Sequence, residues 1–403
     1  MLGIGGASFL ADVGHEVPTA LLPSLLTGTL GAPASALGLI EGVSDALSGV
    51  ARFAGGALAD DPQRRRAVAV SGYSSTAVLS SAIGVAAAPW QAGLLRAGAW
   101  TARGLRVPAR NALLADVTSP EVYGRAYGFE RAMDNLGAIV GPLLALVLVG
   151  VVGTRTAIGL SVIPGLLAAG AIVYAIGQTE RPARRERAPL RMRVRPVLAG
   201  RLGRVLAGAS AFEVGNCAAT LLILRATELF AVDHGRDKAT QLALVLYIGY
   251  NVAATVTSLL AGRWSDRHGA MWVLLGGAVA FVGAYVWFAA GPAGAAALAP
   301  AFVLAGVGIG CAETAEHAAV ADLAPPDLRG SAFGFLAAVQ SAGNLIASLV
   351  AGVLWTAMSP AAAFVFLSTA MTVAVVLLAV AARGAGSPPS VRAAVGPAAD
   401  TSA

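Results

Sequence analysis

The sequence predicts an all-α membrane protein in which twelve transmembrane helices form two pseudo-symmetric six-helix bundles. Hydrophobic residues make up 57% of the 403 positions and charged residues only 12%, and the mean hydropathy is +0.72. Apolar runs of about 20 residues, the length that a helix needs to cross a bilayer, follow one another along most of the chain. Two polar motifs also recur in a single register. The composition therefore excludes a water-soluble domain, and the recurrence indicates a duplicated unit.

The recurring motifs are separated by 206 residues. The first is a polar loop, Gly56-Ala-Leu-Ala-Asp60-Asp61-Pro62-Gln63-Arg64-Arg65-Arg66, which recurs as Gly262-Arg-Trp-Ser-Asp266-Arg267-His268-Gly269. The second runs from Asp116 to Phe129 and recurs from Asp322 to Phe335. Because one register relates two separate motifs, the chain is expected to contain one unit of about half its length twice. Many secondary transporters are built in this way.

The length of each apolar run places the helices in order, since each run is long enough to span the membrane. The first six are predicted at residues 5–28, 34–58, 67–88, 89–112, 122–150 and 155–177. The second six are predicted at residues 202–229, 239–263, 270–290, 294–321, 330–356 and 359–382. The expected domains are an N-terminal bundle (1–177), a basic cytoplasmic linker (178–201), a C-terminal bundle (202–382) and a disordered cytoplasmic tail (383–403).

Basic residues predict the orientation of the chain. Alternate loops carry Arg64 to Arg66, Arg110, Arg125, the arginines of the linker, Arg263, Arg267 and Arg329. The loops between them carry few basic residues, namely Arg155, Arg236 and Lys238. Both termini are therefore expected in the cytoplasm of a cell whose inner (plasma) membrane holds this multi-pass protein. The net charge of +6 follows from this topology and does not indicate a nucleic-acid partner.

The loops resemble the signature of the major facilitator superfamily, in which a Gly-x-x-x-Asp loop with trailing arginines joins the second and third helices. The matching positions are Gly56, Asp60, Arg64 and Arg65 in the first copy and Gly262, Asp266, Arg267 and Gly269 in the second. The first copy departs from the pattern at Asp61 and Gln63, and the second lacks the trailing arginines. The resemblance covers residues 5–382 and implies two bundles that rock about a central cavity, with these residues in gating loops. A turn whose arginines only fix the topology is the alternative.

The first half places eleven ionisable residues inside predicted helices: Asp12, Glu16, Glu41, Asp45, Arg52, Arg96, Arg103, Arg106, Glu130, Arg131 and Asp134. Facing lipid at about 2.5–3.5 kcal/mol each, they would cost roughly 30 kcal/mol, against a typical stability of about 5–15 kcal/mol. They are therefore expected to face each other or a water-filled cavity. In the fourth helix, the spacing predicts one stripe that contains Arg96, Arg103, Arg106 and Arg110.

Proton coupling is predicted at Asp12, Glu16, Glu41, Asp45 and Arg96. Two carboxylates one helical turn apart, as at Asp12 and Glu16, cannot both ionise cheaply in an apolar wall, so one should titrate as part of a coupled pair. Permanent ion pairs with the arginine stripe are the alternative. Arg96 and Pro108 resemble a fourth-helix motif of the superfamily whose arginine is implicated in proton coupling; an arginine paired structurally to Glu41 or Asp45 is the alternative. His15 is expected to pack rather than to take part in the chemistry.

The fifth helix contains Gly137-Ala-Ile-Val-Gly141-Pro142, which resembles the start of the superfamily's antiporter motif. Ala145 and Leu146 stand where further glycines are expected, so the motif is incomplete. Small residues here allow two helices to approach each other, and Pro142 bends the helix. The motif slightly favours efflux over uptake.

The second half repeats the scaffold with different charges. The offset places Tyr247 opposite Glu41, Asn251 opposite Asp45, Gln340 opposite Asp134 and Glu316 opposite Arg110. The predicted substrate-binding residues are Arg103, Arg106, Asp134, Glu213, Asn216, Tyr247, Tyr250 and Asn251. The predicted cytoplasmic gate consists of Arg110, Glu313, Glu316 and His317, and its acidic residues are expected to pair with Arg103 or Arg106. A zinc site at these glutamates and the histidine is the alternative, although it lacks a further ligand.

Together these features predict a secondary active transporter, coupled to protons, for a small amphipathic or anionic organic solute. The expected partners are the solute, the proton and the lipid bilayer, without metal or cofactor, and the protein is expected to be a monomer. Cys217 and Cys311 lack metal-ligand or disulfide spacing. A transport-inactive membrane receptor or assembly partner on the same scaffold is the alternative. An enzyme is not predicted, because the helices hold no assembled nucleophile and base.

Overall fold

A computed structural model describes residues 1–178, 193–292 and 294–383. The helices of the first half are α1 (Leu2–Pro23, continued by a π-helical segment, Ser24–Thr29), α2 (Ala34–Ala59), α3 (Pro62–Ala82), α4 (Pro89–Asp116), α5 (Tyr123–Val152) and α6 (Thr154–Leu160 and Val162–Gly177). Those of the second half are α7 (Gly200–Gly215 and Ala219–His234), α8 (Arg236–His268), α9 (Ala270–Ala290), α10 (Ala295–Leu323), α11 (Arg329–Ala357) and α12 (Pro360–Arg383). Short helical segments lie at Ile83–Val85, Pro120–Val122 and Val194–Val197. The predicted fold class is confirmed. Below, α1 to α6 are called the N-terminal half and α7 to α12 the C-terminal half.

Over the described residues, nine helices are long and apolar enough to cross a membrane, namely α3 and α5 to α12. The other three, α1, α2 and α4, carry most of the ionisable residues that the sequence places in the N-terminal half. A transmembrane helix that turns its charges toward other helices or toward water need not be apolar all round. The three less apolar helices therefore supply the polar interior of this half.

Equivalent helices pack alike in the two halves. Helix α2 runs along α4, and α8 runs along α10. An added Cβ at Gly104 of α4 would lie 2.5 Å from the backbone O of Ser48, and one at Gly310 of α10 would lie 2.7 Å from the backbone O of Ala254. Small residues at these positions allow the helices to approach closely. Both residues of the second pair follow those of the first by 206 positions, so the repeat extends to the packing.

Helix α7 is interrupted at Asn216, Cys217 and Ala218. Inside a membrane, the backbone groups that such a break frees need partners from the protein. The backbone N–H of Ala218 donates to the Ser348 hydroxyl at 2.9 Å, and the Asn344 amide donates to the backbone O of Asn216 at 3.1 Å. Side chains of α11 therefore stabilise the break in α7.

The core of the C-terminal half is aromatic. Phe288 stacks on Phe364 with ring centroids 5.1 Å apart and meets Phe302 edge-on at 5.2 Å. A second apolar cluster joins the halves, since it contains Leu113 of α4 and Phe333 of α11. The two bundles therefore share buried surface near one end.

The described helices differ from the predicted ones mainly at α3, which begins at Pro62 rather than at residue 67. The Asp61 side chain accepts a hydrogen bond from the backbone N–H of Gln63 at 2.9 Å, and proline fits the first position of a helix because its missing N–H would have no partner there. The arginines at 64–66 therefore lie on α3 instead of in a loop. Residues 179–192 of the predicted linker and 384–403 of the predicted tail lie outside the described residues, and the domain boundaries stay predictions.

Candidate functional site

The two halves meet at one end of the bundle, called here the arginine-rich face. It carries Arg64, Arg66, Arg125, Arg263, Arg267 and Arg329. At this face α2 crosses α11 so closely that an added Cβ at Gly56 would lie 2.8 Å from both the backbone O of Gly330 and the Cα of Gly334. Glycine is therefore the residue that permits the crossing.

Helices α5 and α8 make the equivalent crossing. An added Cβ at Gly128 would lie 3.1 Å from the Cα of Gly262, and one at Gly124 would overlap the backbone O of the same residue. These three glycines are related by the offset of 206 residues to those of the first crossing. The arginine-rich face is thus closed by two contacts related by the internal repeat.

Two aspartates cap helices across the boundary between the halves. Asp60 accepts from the backbone N–H of Ser331 at 2.7 Å and from the hydroxyl of the same residue. Asp266 accepts from the backbone N–H of Gly124 at 2.6 Å, and from the backbone N–H and Nε of Arg125 at 3.2 and 2.9 Å. These donors lie in the first turns of α11 and α5, where backbone N–H groups lack partners within the helix. We call the two contacts the paired caps.

Asp116, at the end of α4, adds a third link between the halves. It accepts from Arg329 Nη1 of α11 at 3.2 Å and pairs with Arg65 of α3. Arg329 also donates to the Tyr123 hydroxyl at 2.7 Å, and Arg65 donates to the backbone O of Ala59 at 2.6 Å. Hydrogen bonds between charged groups are stronger than neutral ones, so this network reinforces the closed face.

The remaining gating-loop residues lie around this network. Arg64 Nε is 3.5 Å from Asp61 Oδ2. Gly269 follows α8 with a φ of +90°, which favours glycine. Arg267 and Arg204 border a surface cavity of about 640 Å³ beside the start of α5.

Three glycines on α2 show that the halves separate away from the arginine-rich face. Gly42, Gly49 and Gly56 recur every seven residues and so share one side of the helix. An added Cβ at Gly49 would lie 3.7 Å from Ser341 of α11, whereas one at Gly42 would meet no atom within 4 Å. A cleft between the halves therefore opens toward the opposite face.

In the N-terminal half, α1 carries a histidine that bridges two carboxylates. His15 Nδ1 lies 3.2 Å from Asp12 Oδ1, and His15 Nε2 lies 3.2 Å from Glu16 Oε1. Arg103 Nη2 of α4 is 3.6 Å from the same Asp12 oxygen. Asp12 and His15 are buried, while the Glu16 side chain is 26% exposed. The prediction that His15 only packs is wrong, because residues three apart on a helix share a face.

Helix α5 packs directly against this cluster. An added Cβ at Gly137 would lie 2.7 Å from the Cβ of Asp12, and one at Gly141 would overlap the Cβ of Glu16. The stretch that resembles an antiporter motif therefore fixes the position of both carboxylates. The Asp12 carboxyl group also lies close enough to that of Asp134 on α5 for two negative charges to repel each other.

Farther from the arginine-rich face, Arg96 of α4 contacts α1 and α2. It donates to Glu41 Oε2 at 3.0 Å and to the Thr19 hydroxyl at 2.9 Å. Its guanidinium lies over Trp100, with Cζ 3.3 Å from the ring centroid, and the indole Nε1 donates to Asp45 Oδ1 at 3.0 Å. These contacts match the structural alternative for Arg96, and a role of Glu41 and Asp45 in proton coupling stays a prediction.

Arg110 lies inside the N-terminal half. Its Nη1 is 2.8 Å from Glu130 Oε1 and 3.3 Å from Asp134 Oδ1, and it donates to the Ser8 hydroxyl at 3.0 Å. Acidic partners on the neighbouring α5 therefore hold the guanidinium within the bundle, and its gating role stays a prediction.

Arg131 makes a further ion pair between the halves, away from the paired caps. Its Nη1 is 3.2 Å from Asp134 Oδ2 and 3.9 Å from Glu313 Oε2 on α10. The predicted pairing of Glu313 with Arg103 or Arg106 is therefore wrong, because the arginine that pairs with Glu313 is Arg131 of α5.

Arg106 does not line the cleft. Its Cζ lies 4.0 Å above the ring of Tyr73 on α3, and the side chain is 2% exposed. In this conformation the side chain packs within the N-terminal half, and its predicted role in binding substrate stays a prediction.

In the C-terminal half, Glu316 and Gln340 occupy the positions equivalent to Arg110 and Asp134, which form an ion pair in the N-terminal half. Gln340 Nε2 donates to Glu316 Oε2 at 2.8 Å, and the offset of 206 relates this contact to that of Arg110 and Asp134. Glu316 is buried at 1% exposure. Its partner is therefore Gln340 of its own half and not Arg103 or Arg106, and its role in a gate stays a prediction.

The neighbouring His317 packs at the boundary between the halves. Its ring centroid is 5.9 Å from that of Tyr127 on α5 and 6.0 Å from that of Phe333 on α11. It also contacts the backbone O of Glu313 at 2.7 Å. The residue therefore belongs to the buried part of the closed face.

Tyr247 and Tyr250 of α8 stack with ring centroids 5.4 Å apart and are half-buried. Tyr247 is close enough to Glu16 of the other half to interact with it electrostatically. Asn251 is buried and donates to the backbone O of Tyr247 at 3.0 Å. Tyr247 thus lies nearest the acidic cluster of α1, while Asn251 contacts the backbone of its helix.

Glu213 and Asn216 lie where α7 breaks, and both side chains are buried. Asn216 Nδ2 donates to Glu213 Oε2 at 3.0 Å. The prediction that this pair lines a substrate site is not supported, because the surrounding helices leave little of either side chain exposed. Of the predicted substrate-binding residues, Arg103 and Asp134 keep exposures of 22% and 20%.

Sequence reasoning missed four residues that organise the site: His15, Trp100, Arg131 and Ser331. The offset could have indicated Ser331, because it matches Arg125, the partner of Asp266. The i,i+3 spacing from Asp12 could have indicated His15. No pattern in one sequence identifies which helix faces Trp100 or Arg131.

Comparisons with known proteins agree with this architecture. The family model described as the Major Facilitator Superfamily matches residues 4–230 and 216–401. An uncharacterized transporter of the same type from Methanocaldococcus jannaschii is 26% identical over 385 residues, covering 93% of each chain. An uncharacterized protein of Mycobacterium bovis is 27% identical over 350 residues, covering 83% of this chain and 81% of the relative.

Solved structures share the fold. A bacterial homologue of the iron transporter ferroportin, in an outward-facing state, matches with a TM-score of 0.74 at 13% identity, over 95% of this chain and 98% of that one. The human organic anion transporter TETRAN matches at 0.70 and 16% identity, over 93% and 99%. The proton:xylose symporter XylE matches at 0.67 and 14% identity, over 94% of each chain. Since the family model covers nearly the whole sequence, this chain belongs to the Major Facilitator Superfamily and is a multi-pass membrane protein and secondary transporter.

Proposed function

We propose that the protein couples the movement of a small organic solute to protons, acting as a monomer in the plasma membrane. The observation that carries this proposal is the bridge that His15 makes between Asp12 and Glu16 in the wall of the cleft. Ionisable groups within a membrane are costly and mark proton or substrate pathways. A histidine between two carboxylates can bind or release a proton without leaving an isolated charge.

The closed arginine-rich face supports alternating access. An excess of arginines marks the cytoplasmic side in membrane proteins, so this conformation would be open to the outside. The paired caps and Asp116 would then stabilise the outward-open state, and they would separate when the halves rock to open the cytoplasmic side. Both termini would lie in the cytoplasm.

Protonation would act on the position of α1 relative to the other half. With the cluster protonated, Asp12 no longer balances Arg103, which is 3.6 Å away, and Glu16 no longer repels an acidic or polar solute. A ligand or proton shifts a conformational equilibrium only through its different affinity for the two states. Protonation would therefore favour the conformation in which fewer positive charges lie near the acidic cluster of α1.

The solute would bind between the halves, with the stacked Tyr247 and Tyr250 on one side and Glu16, Arg103 and Asp134 on the other. This wall has apolar rings and both signs of charge, which suits a small amphipathic solute. The structural neighbours are described as an organic anion transporter, a homologue of an iron transporter and a xylose symporter, so the shared fold does not select a solute class. The packing of Gly137 and Gly141 on the acidic cluster ties the antiporter-like stretch to proton coupling and favours efflux.

Reconstitution in liposomes tests the proposal. Solutes that raise the melting temperature in a screen of metabolites and drugs would be added to vesicles with an imposed pH gradient, and proton movement would be followed with a trapped pH dye. We expect solute-dependent proton flux by the wild type and none by Asp12→Asn/Glu16→Gln, while Glu228→Gln, at the exposed end of α7, behaves as wild type. Equal proton coupling in all three proteins would contradict the role given to α1.

A further inference from the structure

The C-terminal half contains two buried carboxyl groups that proton coupling at α1 does not use. Glu213 and Glu316 are 3% and 1% exposed. Their hydrogen-bond donors are the neutral amides of Asn216, at 3.0 Å, and Gln340, at 2.8 Å. Among the described residues, neither glutamate lies within 4.0 Å of a cationic nitrogen. By contrast, Glu130 and Asp134 in the N-terminal half are both paired with Arg110.

One oxygen of this cluster has no hydrogen-bond partner among the described residues. Glu316 Oε1 is buried without a hydrogen bond in the described structure. A carboxylate with an unsolvated oxygen and no counter-charge is far more costly than the neutral acid. Glu316 is also close enough to Glu213 and Glu313 for their charges to repel one another. The cluster therefore needs at least one proton in this conformation.

Apart from Asn216 of α7, the groups facing the two acids come from three helices. Gln340 of α11 faces Glu316, and Gly343 of the same helix lies so close to Glu213 that an added Cβ would be 2.5 Å from the Cβ of the glutamate. Tyr250 of α8 is within electrostatic range of Glu213. Glu313 of α10 is within range of both acids.

Glu313 is the more exposed acid beside this cluster, through which a proton would reach water. Its side chain is 31% exposed and lies one turn from Glu316 on α10, and its nearest basic group is Arg131 at 3.9 Å. The break at the neighbouring Asn216 also interrupts the backbone hydrogen bonding of α7 beside Glu213. Broken helices near the centre of a transporter are where coupling ions commonly bind.

We propose that Glu213 and Glu316 form a second proton-binding site, in the C-terminal half, which is loaded and emptied separately from the cluster on α1. The ligand is a proton held on a carboxyl oxygen. It leaves to water in the cleft through Glu313 and restores a carboxylate stabilised by the amides of Asn216 and Gln340. The role of this site rests on the proposed function, because a second proton site implies that both halves carry protons during a transport cycle.

Infrared titration of the full-length protein in lipid nanodiscs tests this without a known solute. The carbonyl-stretch band of protonated carboxyl groups should weaken as the pH is raised, and Glu213→Gln or Glu316→Gln should each remove part of that change. Asp12→Asn/Glu16→Gln should leave this component in place, and so should the control Glu228→Gln. A band assigned to Glu316 that persists at every pH, or a titration unaltered by both glutamine variants, would overturn the proposal.

Gln340→Leu provides a second variant that retains both acids. Because the amide stabilises the carboxylate form, its removal should raise the midpoint of the Glu316 component by about one pH unit. An unchanged midpoint would overturn the assignment. Failure of solute-driven proton flux would contradict the proposed function but would not alter this titration, so the two results are distinguishable.

Discussion

Equivalent positions in the two halves carry the same chemistry at the arginine-rich face and different chemistry inside. Asp60 and Asp266 each cap a helix of the opposite half. In the interior, an arginine paired to an aspartate in the N-terminal half is replaced by a glutamate bound to an amide in the C-terminal half. Closure requires both halves to meet in the same way, which explains the shared caps. The interior is free of that constraint, so its charges have diverged.

The largest difference between the halves is expected at the paired positions Arg110 and Glu316. Arg110→Met should lower the free energy of unfolding by about 3 kcal/mol, because Glu130 and Asp134 would keep only Arg131 of the two arginines that balance them. Glu316→Gln should change it by less than about 1 kcal/mol, since it substitutes one neutral hydrogen-bonding group for another. Equilibrium unfolding in mixed micelles measures both. Similar losses in the two variants would show that the interiors do not differ in charge as described.

The two buried histidines extend the comparison. His15→Phe should cost about 1.5–3 kcal/mol, because the polar ring that lies between two carboxylates is lost. His317→Phe should cost less than about 1.5 kcal/mol, because that ring packs between Tyr127 and Phe333 and phenylalanine has a similar shape. The loss at His15 should shrink at low pH, where protonated carboxyl groups no longer need the donor. Unfolding of both variants at two pH values checks this, and equal costs at both pH values would contradict it.

Gly56 and Gly42 compare the closed and open ends of one helix. Gly56→Ala should destabilise the closed face by about 1–3 kcal/mol, because the new Cβ meets the backbone of α11. Gly42→Ala should be neutral or stabilise α2 by up to about 1 kcal/mol, because alanine favours a helix and the site is open. The fraction of closed molecules can be read from distances between spin labels at Gln63→Cys and Pro326→Cys. Equal closure in the two variants would show that the crossing does not depend on glycine.

The smallest effect is expected at the paired caps. Asp60→Ala or Asp266→Ala should each weaken closure by about 0.5–2 kcal/mol, as the loss of a helix cap does. If the caps act alike, the two changes should be similar in size and should add in the double variant, because the sites are separate. The same spin labels measure them. If one substitution weakens closure strongly and the other leaves it unchanged, the two caps do not act alike.

The sequence allowed prediction of the scaffold more fully than prediction of the contacts. Length and hydropathy predict the helices, and the offset of 206 relates the paired caps and the position of Gln340 beside Glu316. Periodicity shows which residues share a side of a helix, but not which helix that side meets. For this reason the partners of Arg106, Arg110 and Glu313 could not be predicted.

The break in α7 illustrates the same limit. The residues from Gly215 to Ala218 continue an apolar run, so hydropathy predicts an unbroken helix. The break is stabilised by Asn344 and Ser348, which lie about 130 residues away in sequence. Contacts over such separations depend on the fold and leave no local signal.

We propose that proton binding in the N-terminal half controls closure of the arginine-rich face. The distance between spin labels at Gln63→Cys and Pro326→Cys, with Cys217 and Cys311 replaced by alanine, tests this in nanodiscs at acid and alkaline pH. We expect the populations of short and long distances to change with pH in the otherwise native protein and to stay fixed in Asp12→Asn/Glu16→Gln. One distance distribution at every pH, or the same pH response in the double variant, would contradict it.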